Sequence, residues 1–183
     1  MRIEPLALAG AALVHNEIRD DLRGSFARLF CGAELQPLIG NRLIVQINRS
    51  ITRRIGAVRG LHYQVAPFSE MKLIRCLRGS VLDIAVDLRP SSPTFMQHQE
   101  VLLSASEASM VVLPEGVAHG FQALESDSEL LYLHTAPYSA EHERGLRHDD
   151  PRLGIVWPLA PVDLSDRDQA HPLIGADFSG ICL

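Results

Sequence analysis

Residues 81–89 alternate strictly. Leu82, Ile84, Val86 and Leu88 interleave with Val81, Asp83, Ala85, Asp87 and Arg89. A period of two predicts a strand, because successive side chains of extended chain point to opposite faces. A β-like run at 71–77 precedes it, and Arg78-Gly79-Ser80 between them predicts a tight turn. Further β-like runs fall at 43–47, 100–103, 109–113, 117–124 and 129–135. Clusters of turn residues separate several of them: Arg89-Pro90-Ser91-Ser92-Pro93, Pro114-Glu115-Gly116 and Glu125-Ser126-Asp127. Short strands spaced about 8–12 residues apart point to a sandwich or barrel, and no strand–helix–strand alternation competes with that reading. Helical signal is confined to 31–38 and to a turn at 139–144. There Ser139 would be the N-cap, with Glu141 and Glu143 near the positive helix end. The tail after Asp149-Asp150-Pro151 is rich in Pro and Asp and is expected to wrap the sheets over about 150–183. The pattern therefore predicts one all-β domain spanning 1–183, a cupin-like jelly-roll β-sandwich with a few short helices.

Composition supports one packed domain. The chain has 183 residues, of which 46% are apolar, enough for a sizeable core. Its net charge of −5 argues against a dedicated nucleic-acid binder, yet leaves room for a small anionic ligand held by a local arginine cluster. Cys31, Cys76 and Cys182 are an odd, widely spaced set that forms neither a disulfide framework nor a CxxC pair. They read as reduced thiols of a cytoplasmic protein. No apolar run approaches the ~18 residues of a membrane span. Residues 6–14 are apolar and Ala-rich, but the leader before them is very short and contains the acidic Glu4, so a signal peptide is not expected.

Several short motifs concentrate ionisable residues in these strands. They are Arg59-Gly60-Leu61-His62-Tyr63-Gln64, Lys72, Pro114-Glu115-Gly116-Val117-Ala118-His119-Gly120-Phe121, Leu130-Leu131-Tyr132-Leu133-His134 and Ser165-Asp166-Arg167-Asp168. Singly, each has an ordinary reading. A lone strand histidine is usually a satisfied core residue. Asp83 fits the solvated face of its strand, and His119 fits a residue holding the Pro-Gly turn. His15, His98, His142, His148 and His171 read as surface or loop residues. A metal site is not expected, and no cofactor is implied. Metal-binding cupins pair two histidines one residue apart, whereas His62 is followed by Tyr63 and Gln64.

Taken in order, the motifs over residues 23–172 resemble the dTDP-4-dehydrorhamnose 3,5-epimerase family of nucleotide-sugar enzymes. The resemblance implies a jelly roll whose first strand lies in 6–14. It also implies His62 as proton acceptor, Tyr132 as proton donor, Asp168 as the partner of His62, Lys72 as the strand lysine, and Arg59, His119 and Asp83 as further site residues. The chemistry suits these residue types. Abstraction of a proton next to a ketone needs a base, a group that stabilises the enolate, and an acid on the opposite face if the centre is to invert. An imidazole titrates near neutrality. A carboxylate on its second nitrogen fixes the tautomer. Lys72 or Arg59 can sit beside the developing oxyanion, and Tyr132 shares its strand face with Leu130 and His134.

No P-loop or GxGxxG is present, so a nucleotide diphosphate would rely on arginine forks instead. The resemblance assigns the nucleotide to Gln46, Ile47, Asn48, Tyr138, Glu143 and Arg167. It adds Arg23 and the Arg28 position, reaching over from a neighbouring subunit. That implies a homodimer exchanging an N-terminal region of about 1–30. Arg28 stands where the family pattern is acidic, Ser25 where it is aromatic, and Pro137 where a second tyrosine is common. These departures fall on the nucleotide side. Four functions compete: double epimerisation at C3 and C5, epimerisation at one centre, ketoisomerisation of the same class of sugar, and sugar binding without catalysis.

Overall fold

The computed structural model describes residues 1–183. The strands are β1 Arg2–Pro5, β2 Ala12–His15, β3 Ile18–Asp21, β4 Gly24–Ala27, β5 Gln46–Thr52, β6 Val58–Gln64, β7 Lys72–Arg78, β8 Ser80–Asp87, β9 His98–Ser104, β10 Ser109–Leu113, β11 Val117–Ala123, β12 Ser128–His134 and β13 Glu143–Gly145. The helices are α1 Gly32–Ile39 and α2 Asp166–Ala170. Six strands form one antiparallel sheet in the order β1-β2-β10-β7-β12-β5, and five form a second in the order β13-β6-β11-β8-β9. The two sheets make the cupin-like sandwich.

Alternation along the strands builds three apolar layers. Ile74, Val111 and Leu130 of the first sheet meet Val81, Leu103 and Phe121 of the second in the central core. On the outer face of the first sheet, Leu73, Met110 and Leu133 pack under Leu35 and Ile39 of α1. On the outer face of the second, Leu61, Ile84 and Val86 are covered by Leu153, Ile174 and Ile181 of the tail. The inward rows change character along their length. Ile74 and Cys76 of β7 lie in the core, and Lys72 of the same row lies towards the cavity. Phe121 gives way to His119 on β11, and Leu130 to Tyr132 and His134 on β12. One end of the sandwich is thus filled with hydrocarbon and the other is left polar.

Three local expectations change. The run at 43–47 is displaced, because β5 starts at Gln46; Leu43 and Val45 lie exposed before it, and Ile47 lies exposed on the edge strand. At 139–144 the backbone makes a single turn, in which the Glu143 N–H donates to the Ser139 carbonyl at 2.9 Å. Glu143 and Arg144 then enter β13, whose pairing with the edge of β6 outcompetes a short helix. The first strand is Arg2–Pro5, with 6–11 forming the link to β2. α2 had no counterpart among the expected helices.

The N-terminal region divides in two. β1 pairs with β2, and β2 with β10 of the same chain, burying Ala12 and Val14. β3 and β4 form a separate two-stranded hairpin carrying exposed Leu22 and Phe26. Its base is fastened by Arg75, which is 1% exposed and donates through Nη2 to the Leu29 carbonyl at 2.7 Å and to Asn16 Oδ1 at 3.3 Å.

Candidate active site

The polar end of the sandwich encloses a cavity of about 290 Å³. Three histidine–carboxylate pairs converge on it. His62 Nε2 lies 2.6 Å from Asp168 Oδ1, His119 Nε2 lies 2.6 Å from Asp83 Oδ2, and His134 Nδ1 lies 2.9 Å from Glu70 Oε2. Lys72 reaches across from β7 and donates to the His62 carbonyl at 2.8 Å, with Glu70 Oε1 3.4 Å from its ammonium. The Tyr132 ring sits between His119 and His134, at centroid distances of 6.1 and 6.2 Å. Its hydroxyl is 3.1 Å from Ser50 Oγ.

Close backbone approach sets the position of His62. A Cβ at Gly60 would lie 2.6 Å from the Gly120 Cα, and one at Gly120 would lie 2.7 Å from the Arg59 carbonyl. Only glycine lets β6 and β11 come this near. The ladder is irregular between His119 and Phe121, and His119 pairs with His62 across it. Asp168 occupies the first turn of α2, where the Ser165 hydroxyl caps its N–H at 3.1 Å. The carboxylate therefore faces β6, and the Gly60 N–H also approaches it at 3.4 Å.

Charge in the cavity follows these partners. Burial pushes the Asp168 carboxyl up, but the hydrogen bond from His62 and that ring's charge outweigh it and hold the group below its ordinary value. Burial also pushes Glu70 up, and His134 and Lys72 together bring it below the usual carboxylate range. Desolvation drives the Tyr132 phenol far up, so it stays protonated.

Of the sequence-predicted residues, His62, Lys72, Tyr132, Arg59 and His119 line the cavity, as do Gln46, Asn48, Tyr138 and Glu143. Asp168 and Asp83 stand behind their histidines, 4% and 0% exposed, so the solvated reading of Asp83 does not hold. Arg167 reaches the rim through an ion pair with Glu143, which also accepts from the Tyr138 hydroxyl at 2.8 Å. Ile47 alternates away from Gln46 and Asn48, is 61% exposed and does not line the cavity. Arg23 and Arg28 lie elsewhere within one chain. Arg23 is bound to Asp21 in the hairpin turn, and Arg28 pairs with Glu34.

Sequence reasoning missed Glu70 and Ser50, and placed His134 on the strand face of Tyr132 without giving it a role. Glu70 precedes Lys72 by two positions. Extending that inward row by one residue pair would have found it. His171 was read as a surface or loop residue. Its ring instead packs edge-on to His62 at a centroid distance of 6.1 Å. Metal-ligating side chains gather around His62, Asp168 and His171 rather than around His62 and His119.

Residues 5–175 match the family described as dTDP-4-dehydrorhamnose 3,5-epimerase. The enzyme of that name from Sinorhizobium fredii is 40% identical over 173 residues, covering 94% of this chain and 89% of its own. The Legionella pneumophila dTDP-6-deoxy-D-glucose-3,5-epimerase, solved with dTDP-4-keto-L-rhamnose, superposes with a TM-score of 0.91 at 35% identity, covering 100% of this chain and 98% of its own. A 3′-monoepimerase from Streptomyces bikiniensis, solved with dTDP-quinovose, superposes with a TM-score of 0.86 at 35% identity, covering 93% and 86%.

Proposed function

Since this chain belongs to the dTDP-4-dehydrorhamnose 3,5-epimerase family, we propose that it inverts C3 and C5 of a dTDP-4-keto-6-deoxyhexose by side-chain acid–base chemistry. One observation carries the proposal. His62 comes from β6 of one sheet and Tyr132 from β12 of the other, and both line a single cavity. A base on one wall and a protonated phenol on the facing wall are what inversion of a carbon acid requires.

In this reading Asp168 holds His62 by Nε2, leaving Nδ1 to take the proton. Lys72 places its ammonium beside the base, where the C4 oxygen gains charge as the enolate forms. Both C3 and C5 are acidified by that one carbonyl, so one cation serves both. Tyr132 returns the proton from the other side. A cavity of about 290 Å³ is at the low end of ligand pockets, which run about 300–1,000 Å³, so it takes the sugar and leaves the nucleotide towards the rim. Gln46, Asn48, Tyr138, Glu143 and Arg167 serve that end. Arg59 and Arg49 also wall an adjoining cleft with Arg53, Arg54 and Arg78, and these arginines outnumber its carboxylates Asp127, Glu129 and Asp163, which leaves a net positive wall for the diphosphate.

The exposed β3–β4 hairpin and the apolar edge of β5 support a homodimer in which Arg23 and Arg28 reach the neighbour's nucleotide. Three free cysteines suit a cytoplasmic enzyme of deoxysugar biosynthesis.

The test is turnover of dTDP-4-keto-6-deoxyglucose in D₂O, with the product trapped by reduction and read by NMR. Deuterium at both C3 and C5 is expected. Similarity to a 3′-monoepimerase favours a second reading, inversion at C3 alone. Deuterium only at C3 after long incubation selects it. No deuterium at either centre rejects both.

A further inference from the structure

We propose that His62, Asp168 and His171 form a binding site for a divalent transition cation of the Zn²⁺ type, whose occupancy arrests the proton chemistry instead of assisting it. One ligand atom from each of the three residues lies within 4.8 Å of the other two. They come from three places in the chain: His62 from β6, Asp168 from the first turn of α2, and His171 from the residue that ends α2. Two imidazoles and a carboxylate are a donor set that zinc accepts, and such three-ligand sites keep a fourth position open.

His171 carries the argument. Its Nε2 is buried and has no hydrogen-bond partner, an unusual state for a ring nitrogen. Gly145, which pairs with His62 in the β13–β6 ladder, makes room for it. A Cβ at that position would collide with the His171 ring. The proposed reaction uses neither Nε2 of His171 nor its charge.

The inhibitory effect follows from tautomer bookkeeping and rests on His62 being the base. With Nε2–H donating to Asp168, the lone pair sits on Nδ1. A cation bound by Nε2 and the Asp168 carboxylate takes the place of that proton, which moves to Nδ1. No proton is lost, but the nitrogen that should accept one is now occupied.

The experiment uses the full-length, metal-free protein without substrate, titrated with Zn²⁺ by calorimetry and with Co²⁺ by visible absorption. One ion per chain is expected, with intense d–d bands of a four-coordinate site. His171→Gln is expected to weaken binding at least tenfold, since losing even an outer partner of a ligand typically costs ~10–100-fold. Asp168→Asn should weaken it as well, and His119→Gln should not. In turnover assays Zn²⁺ should inhibit the parent protein and a chelator should restore it, while His171→Gln stays active and resists zinc. Absence of stoichiometric binding by the parent protein would overturn the site, as would a His171→Gln protein of unchanged Tm binding Zn²⁺ as tightly. Binding that leaves turnover untouched would overturn the inhibitory role. Because binding is read without substrate, failure of the epimerase reading leaves its outcome intact.

Discussion

The Lys72 ammonium donates to the backbone carbonyl of His62 at 2.8 Å, tying a cation from the six-stranded sheet to an imidazole-bearing strand of the five-stranded one. The bond crosses the sandwich at its polar end, so the spacing of the two groups is set by sheet packing and not by a flexible loop. In the proposed reaction, an enolate formed by His62 would arise next to a fixed positive charge.

His62→Ala and Tyr132→Phe are expected to fail differently. Without the imidazole, substrate protons should no longer exchange with solvent. Without the phenol, enolate formation should continue at a reduced rate while inversion stops. Each should lower turnover by ~10²–10⁴. Deuterium wash-in followed by NMR separates the two, and a His62→Ala protein with near-parental turnover would remove His62 from the role of base.

Glu70→Gln tests the carboxylate that sits between Lys72 and His134. Hydrogen bonds to charged groups are worth ~1.5–3 kcal/mol, which corresponds to roughly 10–100-fold in rate if the partner acts in the transition state. The expected signature is a fall in kcat with KM little changed, together with an altered alkaline limb of the pH–rate profile. A change in KM alone would make Glu70 part of ground-state binding.

Glu70 and Asp168 also predict a dependence of stability on acid. Both carboxyls lie below their ordinary values in the fold. Their contribution is therefore fully present above the unfolded-state values, about 4.3 for Glu and 3.9 for Asp. It is lost as pH falls through the lower folded-state values. Thermal midpoints measured from pH 6 to pH 2.5 should drop less steeply for Glu70→Gln than for the parent, and parallel curves would refute the assignment.

The hairpin gives a test of assembly that avoids unfolding the domain. Deleting residues 1–28 would strip β1 and β2 from the six-stranded sheet and uncover Met110 and Val112 of β10, both 0% exposed. Leu22→Ser with Phe26→Ser alters only exposed side chains. Sedimentation should give a dimer for the parent and a weakened dimer for the double variant, with nucleotide-sugar KM raised. An active parent monomer would exclude exchange of the hairpin.

The sequence by itself determined which residues share a strand face, because the alternation of extended chain is a local steric property. The run at 81–89 read as a strand, and Ser80–Asp87 is one. His62, Lys72, His119 and Tyr132 each sit on a strand and line the cavity. Short-range pattern failed where local preferences are nearly balanced. Residues 143–145 joined the edge of β6 instead of extending a helical turn, and the strand expected at 43–47 begins only at Gln46. Only the tertiary structure decided the partners. Asp168 meets His62 across 106 positions and Glu70 meets His134 across 64, in contacts set by sheet packing and by the seating of α2 against β6. His171 became a neighbour of His62 for the same reason, through a space that only a glycine at 145 leaves open. Which residues carry charge is written in the chain, but which charges face one another depends on long-range packing that no local period encodes.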